Sequence, residues 1–141
     1  ALKATACLPV LDKPYPLDGR PYFDGTISDP IPFRQAFADG CTKLVVILTR
    51  PRDFYRNPDK DIASSMMLAV RYPEAARALA NRAHTYNVEL NMCKRLEAQG
   101  KVRIIAPKSI DGVSTLTKDP DKIQNLYNRA YNDATALRNF L

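Results

Sequence analysis

Apolar and polar positions divide the chain into short apolar runs and longer segments with helical spacing. Continuous apolar runs occupy most of residues 43–49 and 102–106, and breakers bound both of them. Runs of this kind are typical of buried parallel strands. Apolar residues recur at helical spacing in four other segments, 33–38, 62–71, 73–100 and 119–141. Because strands alternate with helices, we expect an α/β fold, a parallel-type sheet with flanking helices.

The last predicted helix has the clearest start and the clearest apolar stripe. Asp119 is placed to cap it and Pro120 to occupy its first position. Seven apolar residues then recur on one face, which we expect to pack into the core: Ile123, Leu126, Tyr127, Ala130, Ala134, Leu137 and Leu141.

An acidic turn follows the first predicted extended segment. The Asp18-Gly19 dipeptide predicts a hairpin over about residues 14–23 that leads into Asp24. Gly25 permits the positive φ that other residues resist. An acid at the carboxyl end of a strand lies where open α/β sheets keep their active sites. Asp-Gly is also a common turn dipeptide, so the residues alone allow either a catalytic or a purely structural Asp24.

Composition narrows the class of protein. The 141 residues are 45% hydrophobic and 26% charged, as in a globular protein with one core. The net charge of +6 can attract anionic lipid or nucleic acid, or can belong to a solvated face. The basic residues are spread out, with no block of five, and we expect no nucleic-acid partner.

Few residues offer metal or cofactor chemistry. The three cysteines are odd in number and widely spaced, which argues against a disulfide framework and a zinc site. We expect a reducing compartment, no metal and no cofactor. His84 is the only histidine, and its position on a helix face favours a polar surface role over catalysis.

Several segments together resemble one enzyme family. ATACLP at residues 4–9 and YFDGTISDPIP at 22–32 resemble the second conserved block of the patatin-like phospholipases, in which a strand ends in Asp-Gly-Gly or Asp-Gly-Ala. KLVVILTRP at 43–51 is similar to the strand and loop that follow in a bacterial branch. DPDK at 119–122 and residues 127–131 resemble that branch's C-terminal helix.

The resemblance implies a fold and a chemistry. It implies the C-terminal portion of a patatin-like α/β/α fold and hydrolysis of lipid acyl esters. Asp24 would be the base of a Ser-Asp dyad, supported by Gly25 and by Thr26, which stands where Gly or Ala is usual. The chain has no Gly-x-Ser-x-Gly nucleophile motif, so the serine and the oxyanion loop would lie in a missing N-terminal half.

These implications extend to domains, partners and location. Residues 1–60 would end the catalytic domain, and residues 61–141 would form an extension packed on it. Expected partners are a lipid or ester substrate, the missing half, and further copies of the chain through an unpaired sheet edge. The expected location is the cytoplasm or the membrane periphery. The chain alone should be inactive, and the alternative is a non-catalytic binding or scaffolding module.

Overall fold

The protein is described by a computed structural model over residues 2–114, 116–135, 137 and 140. Its elements include short 3-10 turns at Ala4–Ala6 and Gly25–Ile27. The strands are β1 (Tyr15–Leu17), β2 (Arg20–Tyr22), β3 (Leu44–Ile47) and β4 (Val102–Ile105). The helices are α1 (Phe33–Ala38), α2 (Asp59–Ala69), α3 (Pro73–Ala98) and α4 (Pro120–Ala134). The four predicted helices and the two predicted strands are confirmed, and the fold is mixed α/β with a small parallel sheet.

The chain forms two compact units, each built from two separate segments. The first contains the described residues up to Pro32 together with Tyr55–Asn91. The second contains Phe33–Phe54 and the described residues from Met92 onward. Helix α3 supplies residues to both units. The division after residue 60, which followed from the family resemblance, stays a prediction.

The first unit begins with the predicted hairpin. Strands β1 and β2 pair antiparallel, with Leu17 opposite Arg20, so the loop has two residues. Asp18 and Gly19 have φ of 49° and 75°. Two positive φ values define a type I′ turn, whose twist suits a tight hairpin. The Asp-Gly signal in the sequence therefore predicts this turn correctly.

The core of the first unit joins the segment after the hairpin to helices α2 and α3. Ile27, Leu68 and Leu79 are buried there, and Phe23 and Tyr72 pack against them. Polar contacts, among them the following two, join α3 to other segments of this unit. The Arg82 guanidinium binds both carboxylate oxygens of Asp61, linking α3 to α2. The Ile31 N–H donates to Oε2 of the buried Glu89 at 2.9 Å, which ties the proline-rich segment to α3.

The second unit holds the parallel sheet. Strands β3 and β4 pair in register from Leu44 opposite Val102 to Ile47 opposite Ile105. Val102 and Ile104 are buried, but Ile47 is 72% exposed. The prediction of fully buried strands is therefore wrong in part. Only these two strands pair in this sheet among the described residues, and the alternating burial along β4 is that of a sheet packed on one face.

Helix α4 begins as predicted but does not bury its stripe. The Asp119 carboxylate caps it by accepting hydrogen bonds from the N–H groups of Asp121 and Lys122. None of its described residues is buried, and Tyr127 and Tyr131 are 60% and 67% exposed. The expected core packing of this face is wrong within the described chain, because periodicity reveals an apolar face without revealing what covers it. Leu141, the last residue of the predicted stripe, lies outside the described residues.

Candidate functional site

Asp24 caps the short helical turn that follows the hairpin. It is the N-cap residue of Gly25–Ile27, with φ −52° and ψ 128°. Its Oδ1 accepts a hydrogen bond from the Thr26 N–H at 2.8 Å. Aspartate favours this position because its carboxylate reaches a backbone N–H that the first turn of a helix leaves unpaired. The carboxylate is therefore held in one orientation relative to the turn.

The backbone on both sides of Asp24 is anchored. The Asp24 N–H donates to the Cys7 carbonyl at 2.9 Å, and its own carbonyl accepts from the Ile27 N–H at 3.2 Å. Phe23 packs edge-to-face on Tyr72, with ring centroids 5.2 Å apart, and Ile27 is buried. A carboxylate flanked by two core residues is fixed by packing as well as by hydrogen bonds.

Asp24 is half-buried, and among the described residues nothing donates to its second carboxylate oxygen. Within the described part of the chain, no group donates to Oδ2 and no basic side chain forms an ion pair with Asp24. Asp61 in the same unit differs, because Arg82 occupies both of its oxygens. Asp24 can therefore accept a further hydrogen bond or a proton at Oδ2.

Asp24 does not lie at the carboxyl edge of the parallel sheet among the described residues. Among the described residues, strand β2 pairs only with β1, in an antiparallel hairpin, whereas β3 and β4 form the parallel sheet. The rule about the carboxyl edges of open parallel sheets therefore does not apply to this strand as described. The candidacy of Asp24 rests instead on the anchored turn and on the family resemblance, and its catalytic role stays a prediction.

The two residues after Asp24 behave differently from expectation. Gly25 does not have a positive φ, unlike the other four glycines. A Cβ added there would lie 3.7 Å from Thr5 Oγ1, an ordinary contact, so the conformation does not require glycine. Thr26 uses its N–H to hold Asp24, and its side chain is exposed, so this turn accommodates a β-branched residue.

In the described part of the chain, the remaining candidates from the sequence do not form a catalytic group. His84 is exposed on α3. Of the three cysteines, Cys7 is half-buried, Cys41 is exposed and Cys93 is buried. Over the described residues, no cluster of His, Cys, Asp and Glu could hold a metal ion. In the same part of the chain, every helix is too short or too polar to cross a membrane.

In the second unit, charged residues of the loop after β3 are paired with α3. Arg52 forms an ion pair with Glu97, and the Asp53 carboxylate accepts from Lys94 at 2.8 Å. The hydrogen bond from Lys94 holds the pKa of Asp53 below its ordinary value. Burial alone would raise the pKa of Glu97, but hydrogen bonds from Arg52 and from the Ile104 N–H lower it. These pairs secure the loop and reduce the charge it can offer to a lipid headgroup.

The second unit contains an apolar groove that was not predicted from the sequence. The groove has a volume of about 440 Å³ and lies between α1 and the C-terminal part of α3. Four apolar side chains and two arginines form most of its lining: Phe33, Phe37, Met92, Leu96, Arg34 and Arg95. The i, i+4 spacing of Phe33 with Phe37 and of Met92 with Leu96 is the signal in the sequence that could have revealed it.

Comparison with known protein families shows a similarity in the C-terminal part of the chain. Residues 72–139, a little under half of the chain, match a family described as a domain of unknown function, DUF6363. The matched segment begins just before α3 and includes α4, so it excludes Asp24. No curated protein and no solved structure matches the chain significantly.

Proposed function

We propose that the chain is the C-terminal portion of a patatin-like acyl hydrolase, acting on lipid acyl esters in the cytoplasm or at the membrane periphery. Asp24 is the general base of a Ser-Asp dyad, and the serine belongs to a preceding segment of a longer protein. The observation that carries the proposal is the state of Asp24: anchored by the turn, half-buried, without an ion pair in the described chain, and with Oδ2 uncommitted.

The chemistry assigned to Asp24 follows from these features. The serine hydroxyl would donate its proton to Oδ2 as the oxygen attacks the ester carbonyl, and Asp24 would return the proton to the leaving alcohol. The Thr26 N–H on Oδ1 fixes the direction of the second oxygen. An acid already neutralised by an arginine would be a weaker base, because a nearby positive charge favours the ionised form.

The segment after the turn supplies supporting structure. Ser28 Oγ donates to the Gly25 carbonyl at 3.2 Å, and the Asp29 N–H donates to the same carbonyl at 3.0 Å. The buried Glu89 carboxylate holds the Ile31 N–H. The segment from Asp24 to Ile31 is therefore stiff, as a base that must meet a separately placed nucleophile requires.

The first test uses the 141-residue chain and a short-chain p-nitrophenyl ester. We expect no turnover above that of an Asp24→Ala variant, because the chain has no Gly-x-Ser-x-Gly motif to place a nucleophile. Turnover that persists through purification and disappears in the variant would contradict the assignment of the nucleophile to a preceding segment. The coding sequence upstream of Ala1 supplies the companion test, in which the proposal requires a Gly-x-Ser-x-Gly motif.

A non-catalytic binding or scaffolding module is the alternative. The exposed apolar face of α4 favours it, since Tyr127 and Tyr131 lie largely in solvent and such faces commonly bind other molecules. An upstream sequence without a nucleophile motif would support this alternative over hydrolysis.

A further inference from the structure

The groove in the second unit combines an apolar lining with positive charge. Phe37, Met92 and Leu96 are half-buried and Phe33 is buried, so the groove presents a continuous apolar lining. Its volume of about 440 Å³ falls in the range of small-molecule sites, roughly 300–1,000 Å³. A groove of this size suits a small molecule better than a protein helix, which needs a longer surface.

Both charged residues that line the groove are arginines. The Arg34 guanidinium lies 3.0 Å from Met92 Sδ and 5.3 Å from the Phe33 ring centroid, which places it along the apolar lining. Arg95 is exposed in the last turn of α3. None of the described residues that line the groove is acidic. A guanidinium binds carboxylate or phosphate through paired hydrogen bonds, so the groove is complementary to an anion joined to an apolar chain.

We propose that this groove binds a free single-chain amphiphile with an anionic head, of the fatty-acid type. The chain lies against the phenylalanines, Met92 and Leu96, and the carboxylate meets Arg95. The site is independent of Asp24, which belongs to the other unit, and it does not rest on ester hydrolysis. It would remain if the proposed hydrolase activity were wrong.

Calorimetric titration of the full chain with decanoate, below its micelle concentration, tests the proposal. Octanoate should bind about tenfold more weakly, because two fewer methylenes are buried. Decanol and decyltrimethylammonium should bind more weakly than decanoate, because neither places an anion beside the arginines. The methyl resonance of Met92 should shift on titration, since this side chain lines the groove.

Arg95→Gln is the decisive variant, because Arg95 is exposed and its replacement should not disturb folding. We expect roughly a tenfold loss of decanoate affinity, as for a lost hydrogen bond to a charged group, and unchanged decanol affinity. Arg20→Gln is the matched control: Arg20 is also exposed, belongs to the other unit and does not line the groove. Its decanoate affinity should equal that of the wild type.

Four results would overturn the proposal. The first is equal affinity for octanoate and decanoate, which would indicate a purely electrostatic contact. The second is unchanged decanoate binding in Arg95→Gln, and the third is an unshifted Met92 resonance in the decanoate complex. The fourth is Arg95-dependent binding to phosphatidylglycerol vesicles without binding of free decanoate, which would identify a membrane contact instead.

Discussion

Replacing Arg82 by methionine removes one partner of an ion pair that is largely shielded from water. Arg82 binds both carboxylate oxygens of Asp61, and the two side chains are 18% and 9% exposed. This pair connects α3 to α2 in the same unit as Asp24. Methionine keeps an unbranched stem of similar shape, so the variant removes the charge and the hydrogen bonds while retaining most of the packing.

The expected cost follows from the burial of the carboxylate that remains. Removing one partner of a buried pair costs about 3–5 kcal/mol, because it leaves an uncompensated buried charge. Arg82 keeps some solvent contact, so we expect a value near the lower end, about 3 kcal/mol. At roughly 3 °C per kcal/mol for a chain of this size, the thermal midpoint should fall by about 10 °C. The Asp61→Leu/Arg82→Met double variant should recover most of this loss, since an apolar pair needs no compensation.

Chemical denaturation of the wild type, both single variants and the double variant gives the coupling energy directly. Arg77→Met is the matched control, because Arg77 pairs with Glu74 on the surface of the same helix, with side chains 71% and 81% exposed. It should cost well under 1 kcal/mol. The reasoning would be refuted if Arg82→Met lowered the free energy of unfolding as little as Arg77→Met does. It would also be refuted if the double variant were no more stable than Arg82→Met.

Two further predictions concern the pH dependence of stability and the glycines Gly19 and Gly25. Hydrogen bonds from Arg52 and the Ile104 N–H lower the pKa of Glu97 in the folded protein. The ionised carboxylate therefore stabilises the fold at pH values above its ordinary pKa of 4.5. This stabilisation is lost as the pH falls through the lower pKa of the folded state. Glu97→Gln should therefore flatten the acid limb of a stability–pH profile measured by denaturation, and an unchanged limb would contradict this. Gly19→Ala should lower the free energy of unfolding by about 1–2 kcal/mol, because Gly19 has a positive φ. Gly25→Ala should lower it clearly less in the same measurement, because Gly25 has no positive φ. The reverse order would contradict the backbone conformations described for these two glycines.

The local elements could be predicted where short-range chemistry determines them. Asp18-Gly19 predicts the hairpin because both turn positions need positive φ, and Asp119-Pro120 predicts the start of α4 because a cap and a proline suit a first turn. The apolar runs predict β3 and β4 because such segments bury best as paired strands. These signals lie within a few residues of the structure that they determine.

Long-range features could not be predicted in the same way. Glu89 contacts the Ile31 N–H and Glu97 contacts Arg52, and in both contacts the two residues are far apart in sequence. In the sequence alone, a carboxylate on a helix usually indicates a face exposed to solvent, so neither contact could be predicted. Tyr127 lies in solvent because burial depends on what covers the helix and not on its periodicity alone. At the candidate site, the sequence indicated Asp24 but gave the wrong backbone reason for Gly25, whose φ is set by the 3-10 turn.

The most direct test of the central claim is the effect of Asp24→Asn on ester hydrolysis by the longer protein that the proposal requires. Asparagine caps a helical turn about as well as aspartate does, so the thermal midpoint should change little while kcat falls by about 10²–10⁴. Asp29→Asn is the matched control, because Asp29 is exposed and its backbone N–H, which donates to the Gly25 carbonyl, is unaltered by the substitution. It should leave both quantities near the parental values. Near-parental kcat in Asp24→Asn would contradict the assignment of Asp24 as the base.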